Sequence, residues 1–409
     1  MQLIEEVERV VHRLESLGKI TEESGRLTRT FGSPAMCQAN ELAGLWMKQA
    51  GMTVRQDAIG NLIGHYSCAR PGARKLLLGS HLDTVRNAGK FDGALGVLLA
   101  IACVEQLRRP VPFNIEVIAF ADEEGVRFQS SYLGSRAVTG NFDSKDLDRT
   151  DADGITMAEG IRSFGGDPLA VSSCRIDAKE LIGYVEAHIE QGPVLEHHHH
   201  AIGIVSAIAG QTRVQVELQG TAGHAGTVPM ALRKDALCAA AEFTLAVEKQ
   251  AREIPELVAT VGELAVERGA SNVIPGFVRL SLDVRHQDDA TREAACESLR
   301  QSLGDVARRR QIESSWQIIQ KTSSAPCSAE LSALLREAAT KHQPQLMTLP
   351  SGAGHDAAVM AKITPVAMLF LRCKNGLSHH PDEWAAPEDI AVALATLSDF
   401  ISLLAARHE

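Results

Sequence analysis

The sequence has few aromatic residues and no excess of positive charge, and each shortage narrows the possible classes of protein. Aromatic residues make up 4% of the 409 residues while hydrophobic residues reach 45%, so we expect an aliphatic core. The formal net charge is −10. This charge argues against nucleic acid or an anionic membrane as a partner, because either would favour a basic surface.

The sequence also lacks paired cysteines and the marks of export. Its eight cysteines are scattered, with no Cys-x-x-Cys spacing, and a chain of this length does not depend on disulfides, so we expect reduced thiols. The N-terminus shows no basic segment followed by an apolar one, and no apolar run approaches the length of a membrane span. We therefore expect a soluble cytoplasmic protein.

Helical and strand patterns alternate in the first half of the chain. Lys75–Gly79, Asn114–Phe120 and Gly183–Ile189 are predicted as buried strands. Buried strands that alternate with helices indicate an α/β fold with a mostly parallel sheet covered on both faces. Sites in such folds lie at the carboxyl ends of the strands.

The pattern changes after about residue 206. Strand and helix patterns between Gln211 and Gln320 follow the order β-α-β-β-α-β, with one of the strands predicted over Leu257–Val266. This order is typical of a ferredoxin-like α+β unit. The α/β pattern then resumes. We predict a discontinuous catalytic domain over residues 1–206 and 323–409, with a second domain inserted at residues 207–322.

Four short segments place acidic and imidazole groups at predicted strand ends or loops. They are Gly79–Thr84, Phe91–Gly93, Ala121–Gly125 and Gly376–Pro381. Imidazole and carboxylate without thiolate suit zinc, manganese or cobalt. If the segments converge, the protein is a metallohydrolase.

Two of these residues allow more than one interpretation. His81 is either a structural histidine or a metal ligand, and the ligand is favoured because Asp83, two residues on, can hydrogen-bond the second ring nitrogen, as in many metal sites. Asp92 precedes an apolar helix and is either its N-cap or a carboxylate that bridges two metals. We favour the bridge.

The adjacent residues Glu123 and Glu124 either form a solvated acidic loop or have two separate roles. Neighbouring side chains at a strand end point in different directions, so we assign Glu124 as a ligand and Glu123 as the general base that takes a proton from water. His188 would share one strand face with Glu186. Only one of the adjacent His379 and His380 is expected to face the site, and alternation leaves open which.

The run His197–His200 is interpreted as an exposed turn and excluded from the site.

Longer motifs extend this set of residues along the chain. They are Gly79–Thr84, Phe91–Gly93, Asp122–Phe128, His188–Gly192, Gly223–Met230, Asn272–Gly276, Ser351–Asp356 and Gly376–His379. Together they resemble the dinuclear-metal, peptidase M20-like family that includes aminoacylases and carboxypeptidases. The similarity is greatest to its branch of allantoate amidohydrolases and N-carbamoyl-L-amino-acid hydrolases, and covers nearly the whole chain.

The resemblance implies a zinc-exopeptidase-like catalytic domain with two divalent ions per subunit, zinc or manganese, with cobalt or nickel also possible. The ligands of the two ions are His81, Asp92 and His188, and Asp92, Glu124 and His379. Asp92 would bridge the ions and Glu123 would be the base. The inserted domain would serve as a lid and homodimer interface, across which His224 stabilises the tetrahedral oxyanion.

Substrate recognition would depend on Arg285, since its planar guanidinium binds a carboxylate bidentately, although a surface charge on a strand is the alternative. The further predicted contacts are Gln191, Gln211, Asn272, Gly354 and His355.

The implied reaction is hydrolysis of a ureido group on a small carboxylate, with release of ammonia and carbon dioxide. Gly354, Gln211 and His286 favour allantoate, whereas Gly134–Ala137 and Pro381–Trp384 favour N-carbamoyl-L-amino acids. A metallo-exopeptidase or aminoacylase uses the same ligands. A ligand-binding relative without activity is a further alternative, which the intact Glu123 and ligand set oppose.

Overall fold

The computed structural model describes residues 2–107 and 109–408. The helices are α1 Gln2–Leu17, α2 Pro34–Gln49, α3 Ala94–Glu105, α4 Leu133–Val138, α5 Met157–Ser163, α6 Val194–His197, α7 Ala236–Glu253, α8 Asp289–Arg310, α9 Ala329–Thr340, α10 Asp356–Met360 and α11 Pro387–His408. The strands are β1 Thr53–Gln56, β2 Leu62–Tyr66, β3 Lys75–His81, β4 Asn114–Phe120, β5 Leu181–Ile189, β6 Ile202–Ile208, β7 Gly210–Gln219, β8 Gly223–His224, β9 Val258–Thr260, β10 Leu264–Val266, β11 Val273–Ile274, β12 Phe277–His286, β13 Glu313–Thr322, β14 Ala325–Pro326, β15 Met347–Ser351 and β16 Val366–Leu371.

The chain divides into two compact units. Unit 1 comprises Met1–Ser206, Pro326–Leu349 and Ala353–Glu409, and unit 2 comprises Ala207–Ala325 and Pro350–Gly352.

A nine-stranded sheet has the order β1-β2-β4-β3-β5-β16-β6-β14, with β15 also paired to β6. The central strands β4, β3, β5 and β16 are parallel, while β1 pairs antiparallel with β2, β2 with β4, and β6 with β16. Every residue of α3 from Ala94 to Val104 is buried, as expected of a helix that is apolar on all sides. The predicted α/β class with a mostly parallel sheet is confirmed.

The helix α11 corrects one expectation from the sequence. It is long and apolar enough, by length and composition, to span a membrane, although no run of that kind was expected from the sequence. In the fold its residues Ile390, Leu394, Phe400 and Leu404 are buried in the hydrophobic core. Its apolar composition is therefore explained by packing, and the charged residues that interrupt it made it inconspicuous in the sequence.

Unit 2 contains an antiparallel sheet with the order β10-β12-β7-β13, in which β9 also pairs with β12. The helices α7 and α8 supply buried residues such as Phe243 and Leu299 to a core with this sheet. One strand was expected over Leu257–Val266, but the structure has β9 and β10. Thr260 lies opposite Asp283 whereas Leu264 lies opposite Leu280. This one-residue shift in register is the effect of a bulge, and Gly262 lies in it.

Candidate metal centre

Two groups of donor atoms lie together in unit 1. The first consists of His81, Asp92 and His188, and the second consists of Asp92, Glu124 and His379. Within each group the donor atoms lie within 4.8 Å of one another. These groups gather residues from β3, from the segment before α3, from the segment after β4, from β5 and from the segment before α11. The four segments singled out in the sequence therefore converge, together with His188.

Asp92 belongs to both groups because its two carboxylate oxygens face different histidines. Its Oδ1 lies 3.1 Å from His188 Nε2 and 3.8 Å from His81 Nε2. Its Oδ2 lies 3.1 Å from His379 Nε2. The alternative role of Asp92 as an N-cap does not apply, since the N-cap of α3 is Gly93 and no side chain caps the helix.

The histidines are oriented by backbone carbonyl groups. Nδ1 of His81 lies 3.0 Å from the carbonyl oxygen of Asp83, and Nδ1 of His188 lies 2.9 Å from that of Ile189. Such contacts fix the ring and leave Nε2 for a metal. The adjacent His380 instead contacts Asp382, so His379 is the residue that faces Asp92.

The carboxylate of Asp83 does not hydrogen-bond His81 as the sequence suggested, since its Oδ1 is 3.6 Å from Nδ1. It instead accepts the backbone N–H groups of Glu123 at 3.2 Å and Glu124 at 3.0 Å. Asp83 thus positions the segment that carries both glutamates. The contact between Asp83 and this segment requires β3 and β4 to lie side by side in the sheet.

Glu123 and Glu124 differ in their surroundings. The Glu124 Oε1 lies 3.5 Å from His379 Nε2, and Glu124 belongs to the second group. Glu123 is buried, with 8% of its surface exposed, and belongs to neither group. A solvated acidic loop is therefore not what the structure contains at this position.

The centre concentrates negative charge. Burial and then the Asp92 carboxylate raise the pKa of Glu124 to about 7. Burial and the nearby Glu124 raise the pKa of Glu123 well above its ordinary value. Although burial opposes it, hydrogen bonds from His188 and His379 hold the pKa of Asp92 well below its ordinary value.

These groups fit a divalent metal ion by the chemistry of their donors. Carboxylates crowded in a buried site need a neighbouring positive charge. Imidazole nitrogen and carboxylate oxygen are ligands that zinc, manganese and cobalt accept. The residues of the two groups could therefore hold metal.

Gln191 contacts the centre directly. Its Nε2 donates to Asp92 Oδ2 at 3.2 Å and to the Ser378 hydroxyl at 3.2 Å. Gln191 was predicted from the sequence as a substrate contact, and Ser378 was not predicted at all. Ser378 precedes His379, and no spacing in the sequence indicates that its hydroxyl approaches Asp92.

His355 lies beside His188 and is buried, whereas the adjacent Gly354 is exposed. The His355 ring is 2% exposed, and its centroid is 4.5 Å from that of His188. Burial and then the charge of His188 lower the pKa of His355 well below its usual value. A methyl group on Gly354 would lie 1.8 Å from the Tyr132 hydroxyl, so a larger residue here would require the Tyr132 side chain to move.

Glu186 shares this buried region, as its strand register with His188 predicted. It accepts hydrogen bonds from the Ser80 hydroxyl at 2.8 Å and from the Ala357 N–H at 3.1 Å. Glu186, His188 and His355 form a third group of possible donors. Because the Glu186 oxygens already accept hydrogen bonds, the first two groups are better candidates for metal binding than this third group.

The remaining predicted substrate residues lie in unit 2. Gln211 and Arg285 are opposite each other on β7 and β12. Both donate to Asp283, Gln211 at 2.6 Å and Arg285 at 2.9 and 3.0 Å. Arg285 also donates to the Gly352 carbonyl at 2.6 Å. Asp283, which was not predicted from the sequence, therefore orients both side chains.

His224 and Asn272 are neighbours in unit 2. Val273, which follows Asn272, lies opposite His224 in the short β8–β11 pair, and the Ala225 N–H donates to the Asn272 carbonyl at 2.9 Å. Both residues are exposed. The pairing of β8 with β11 is the reason that two motifs far apart in the sequence lie together.

Comparison with known proteins identifies the class that this fold and centre define. The chain matches Peptidase family M20/M25/M40 over residues 77–403 and belongs to that family. The resemblance inferred from the motifs is confirmed.

Individual relatives are similar over nearly their full lengths. The chain is 40% identical to a probable allantoate deiminase of Oryza sativa subsp. japonica, over 96% of this chain and 87% of that protein. It is 39% identical to an N-carbamoyl-L-amino-acid amidohydrolase of Pseudomonas sp. (strain NS671), over 96% of this chain and 97% of that protein. An amidase of the hydantoinase/carbamoylase family from Burkholderia multivorans has a similar structure, with a TM-score of 0.91, 30% identity and 97% of each chain covered.

Proposed function

We propose that this protein is a metal-dependent amidohydrolase that cleaves a ureido C–N bond of a small carboxylate, with allantoate as the substrate. The observation that carries the proposal is Asp92, whose two oxygens face two separate groups of donors. The similarity to proteins named for allantoate and for N-carbamoyl-L-amino acids supports the ureido class.

Two divalent ions, zinc or manganese, with cobalt or nickel as alternatives, would be held by the two groups. His81, Asp92 and His188 would bind one ion, and Asp92, Glu124 and His379 the other. When bound, such ions lower the pKa of water and polarise a carbonyl oxygen.

Glu123 would act as the general base. It is buried beside the ligand Glu124, and its backbone is fixed by Asp83. A nearby cation favours the ionised form of a carboxylate and so would lower the raised pKa of Glu123. Glu123 would then accept a proton from water and donate it to the leaving nitrogen.

Arg285 would bind the substrate carboxylate. Its orientation by Asp283 reduces the freedom lost on binding, and its planar guanidinium retains donors for a second carboxylate. Gln211, Asn272 and Gln191 would add polar contacts, and Gly354 and His355 would be further substrate-binding residues.

Residues 207–322 would form an inserted lid and dimerisation domain between the two parts of a catalytic domain over 1–206 and 323–409. His224, which is exposed in unit 2, would act across the homodimer interface and stabilise the oxyanion of the tetrahedral intermediate. We place the enzyme in the cytoplasm, in agreement with its eight free cysteines.

The experiment that tests this function is a screen for ammonia release. Purified protein is supplied with manganese, zinc or cobalt and offered allantoate, several N-carbamoyl-L-amino acids and dipeptides. Metal-stripped protein is the control. We expect ammonia from allantoate, and cleavage of dipeptides alone would replace the proposal with a metallo-exopeptidase or aminoacylase.

Hydrolysis of N-carbamoyl-L-amino acids is the second candidate. It is favoured by the 39% identity to an amidohydrolase named for that substrate, and by the carbamoylase-like segments Gly134–Ala137 and Pro381–Trp384. A higher kcat/KM for these compounds than for allantoate would favour this second function over allantoate hydrolysis.

A further inference from the structure

Glu383 is a buried acidic residue that has no role in the hydrolysis proposed for this protein. It follows His379 by four residues and is 2% exposed. Its carboxylate reaches a distant part of the chain, where Oε1 accepts the backbone N–H of Phe91 at 2.9 Å and that of Asp92 at 3.0 Å. Glu383 therefore fixes the backbone of the residue shared by the two donor groups.

The second oxygen of Glu383 contacts the segment that carries His379. Its Oε2 accepts the hydroxyl of Ser378 at 2.9 Å, and the same hydroxyl lies 3.4 Å from Asp92 Oδ2. One carboxylate thus joins two segments that are 286 positions apart at Asp92 and Ser378.

The fold leaves room for this carboxylate at Gly89. A methyl group there would lie 2.3 Å from the Glu383 Cβ and 2.5 Å from its Oε1. A side chain at position 89 and Glu383 in its present position are therefore incompatible. This close approach does not depend on the hydrogen bonds. It is a second observation that the side chain of Glu383 occupies a defined position.

We propose that Glu383 is a positioning residue that holds Asp92 and His379 at the spacing required by the second metal group. The proposal rests on the proposed function only in that the two donor groups bind metal. Loss of the carboxylate would leave two buried backbone N–H groups without their acceptor. Partners that orient metal ligands commonly change metal affinity by about 10- to 100-fold when removed.

The test measures metal binding in the absence of substrate. Metal-free wild type and Glu383→Ala are titrated with manganese by calorimetry, and bound ions are counted after dialysis. We expect the affinity for one ion to fall about 10- to 100-fold in Glu383→Ala. The ion held by His81, Asp92 and His188 should be affected less, because only the other group includes His379.

Two variants separate positioning from a general loss of structure. Glu383→Gln keeps an acceptor for the two N–H groups and can donate to the Ser378 oxygen, so it should restore binding of the second ion. Asp389→Asn is the matched control, since Asp389 is a buried carboxylate of the same C-terminal part that pairs with Arg372 at 2.8 Å. It should lower the melting temperature and leave both metal affinities unchanged.

Wild-type affinities in Glu383→Ala, equal losses in Glu383→Ala and Asp389→Asn, or failure of Glu383→Gln to restore binding would each overturn the proposal. If Glu383→Ala does not fold, Ser378→Ala and Gly89→Ala replace it, and unchanged binding of the second ion in both would refute the role. A wild type that binds two ions and releases no ammonia from any ureido substrate would contradict the proposed function and leave this test valid.

Discussion

The Oδ2 of Asp83 accepts the backbone N–H of Glu124 at 3.0 Å, and its Oδ1 accepts that of Glu123 at 3.2 Å. A single carboxylate at the end of β3 therefore fixes the segment that follows β4. The same residue supplies, through its own carbonyl group, the acceptor for His81.

Asp83→Ala should lower kcat about 10- to 100-fold, because the segment with the proposed base loses both of its side-chain acceptors. Asp83→Asn keeps one acceptor, so its kcat should lie between that of the wild type and that of Asp83→Ala. Steady-state kinetics with measured metal content checks this expectation. Equal kcat in all three proteins would contradict the positioning role.

Glu123→Gln should keep the fold and the metal content of the wild type while ammonia release falls by about 100- to 10,000-fold, the range for loss of a general base. The amide is of similar size but cannot accept the proton. Circular dichroism and metal analysis serve as controls. Full activity in this variant would exclude Glu123 as the base.

His224→Ala should lose turnover while the proposed dimer stays intact in size-exclusion chromatography. If His224 acts across the interface, a mixture with Glu123→Gln subunits should recover part of the activity, since one hybrid site combines an intact base with an intact histidine. No recovery after subunit exchange would argue that His224 does not act in the partner's site.

Arg285→Lys should raise KM for a carboxylate substrate by about tenfold or more with a smaller change in kcat, because lysine cannot form the bidentate contact. Arg213→Lys is a matched control, since Arg213 also donates to Asp283, at 3.1 Å, but has no proposed contact with substrate. Equal changes in KM for the two variants would indicate a general effect on Asp283.

Metal removal should make stability depend on pH. A hydrogen bond to Asp92 raises the pKa of His379 to about 9, and burial raises that of Glu124 to about 7. Groups with a raised folded-state pKa stabilise the fold below their unfolded values and lose this contribution as pH rises through the folded ones. The melting temperature of metal-free protein should therefore fall between about pH 5 and pH 9.

Added manganese should reverse that trend, since ions compete with the protons and bind more tightly at high pH. Thermal unfolding at three pH values, with and without manganese, is the measurement. Stabilisation by manganese that does not increase with pH would contradict proton competition at these residues.

The sequence predicted the residues of the centre because they lie next to recognisable strands. His81 ends β3 and His188 is near the end of β5, and parallel strands bring such positions to one edge of the sheet. The choice between His379 and His380 could not be made by alternation, because they lie in a loop where that rule does not apply.

The supporting contacts could not be predicted from the sequence, for a different reason. Glu383, Ser378 and Asp283 act through hydrogen bonds to residues chosen by tertiary packing, and none stands at a recognisable spacing. The division of β9 from β10 was missed because a single bulge near Gly262 leaves the hydrophobic pattern almost unchanged.

The order of ligands along the chain has a consequence for biosynthesis. The first group is complete once His188 has been made, but the second requires His379, near the end of the chain. At about 5–20 residues per second, roughly 15–60 s separate the synthesis of His81 from that of His379. A growing chain therefore offers one complete set of donors before the other, and the proposed second ion could bind only after His379 has been made.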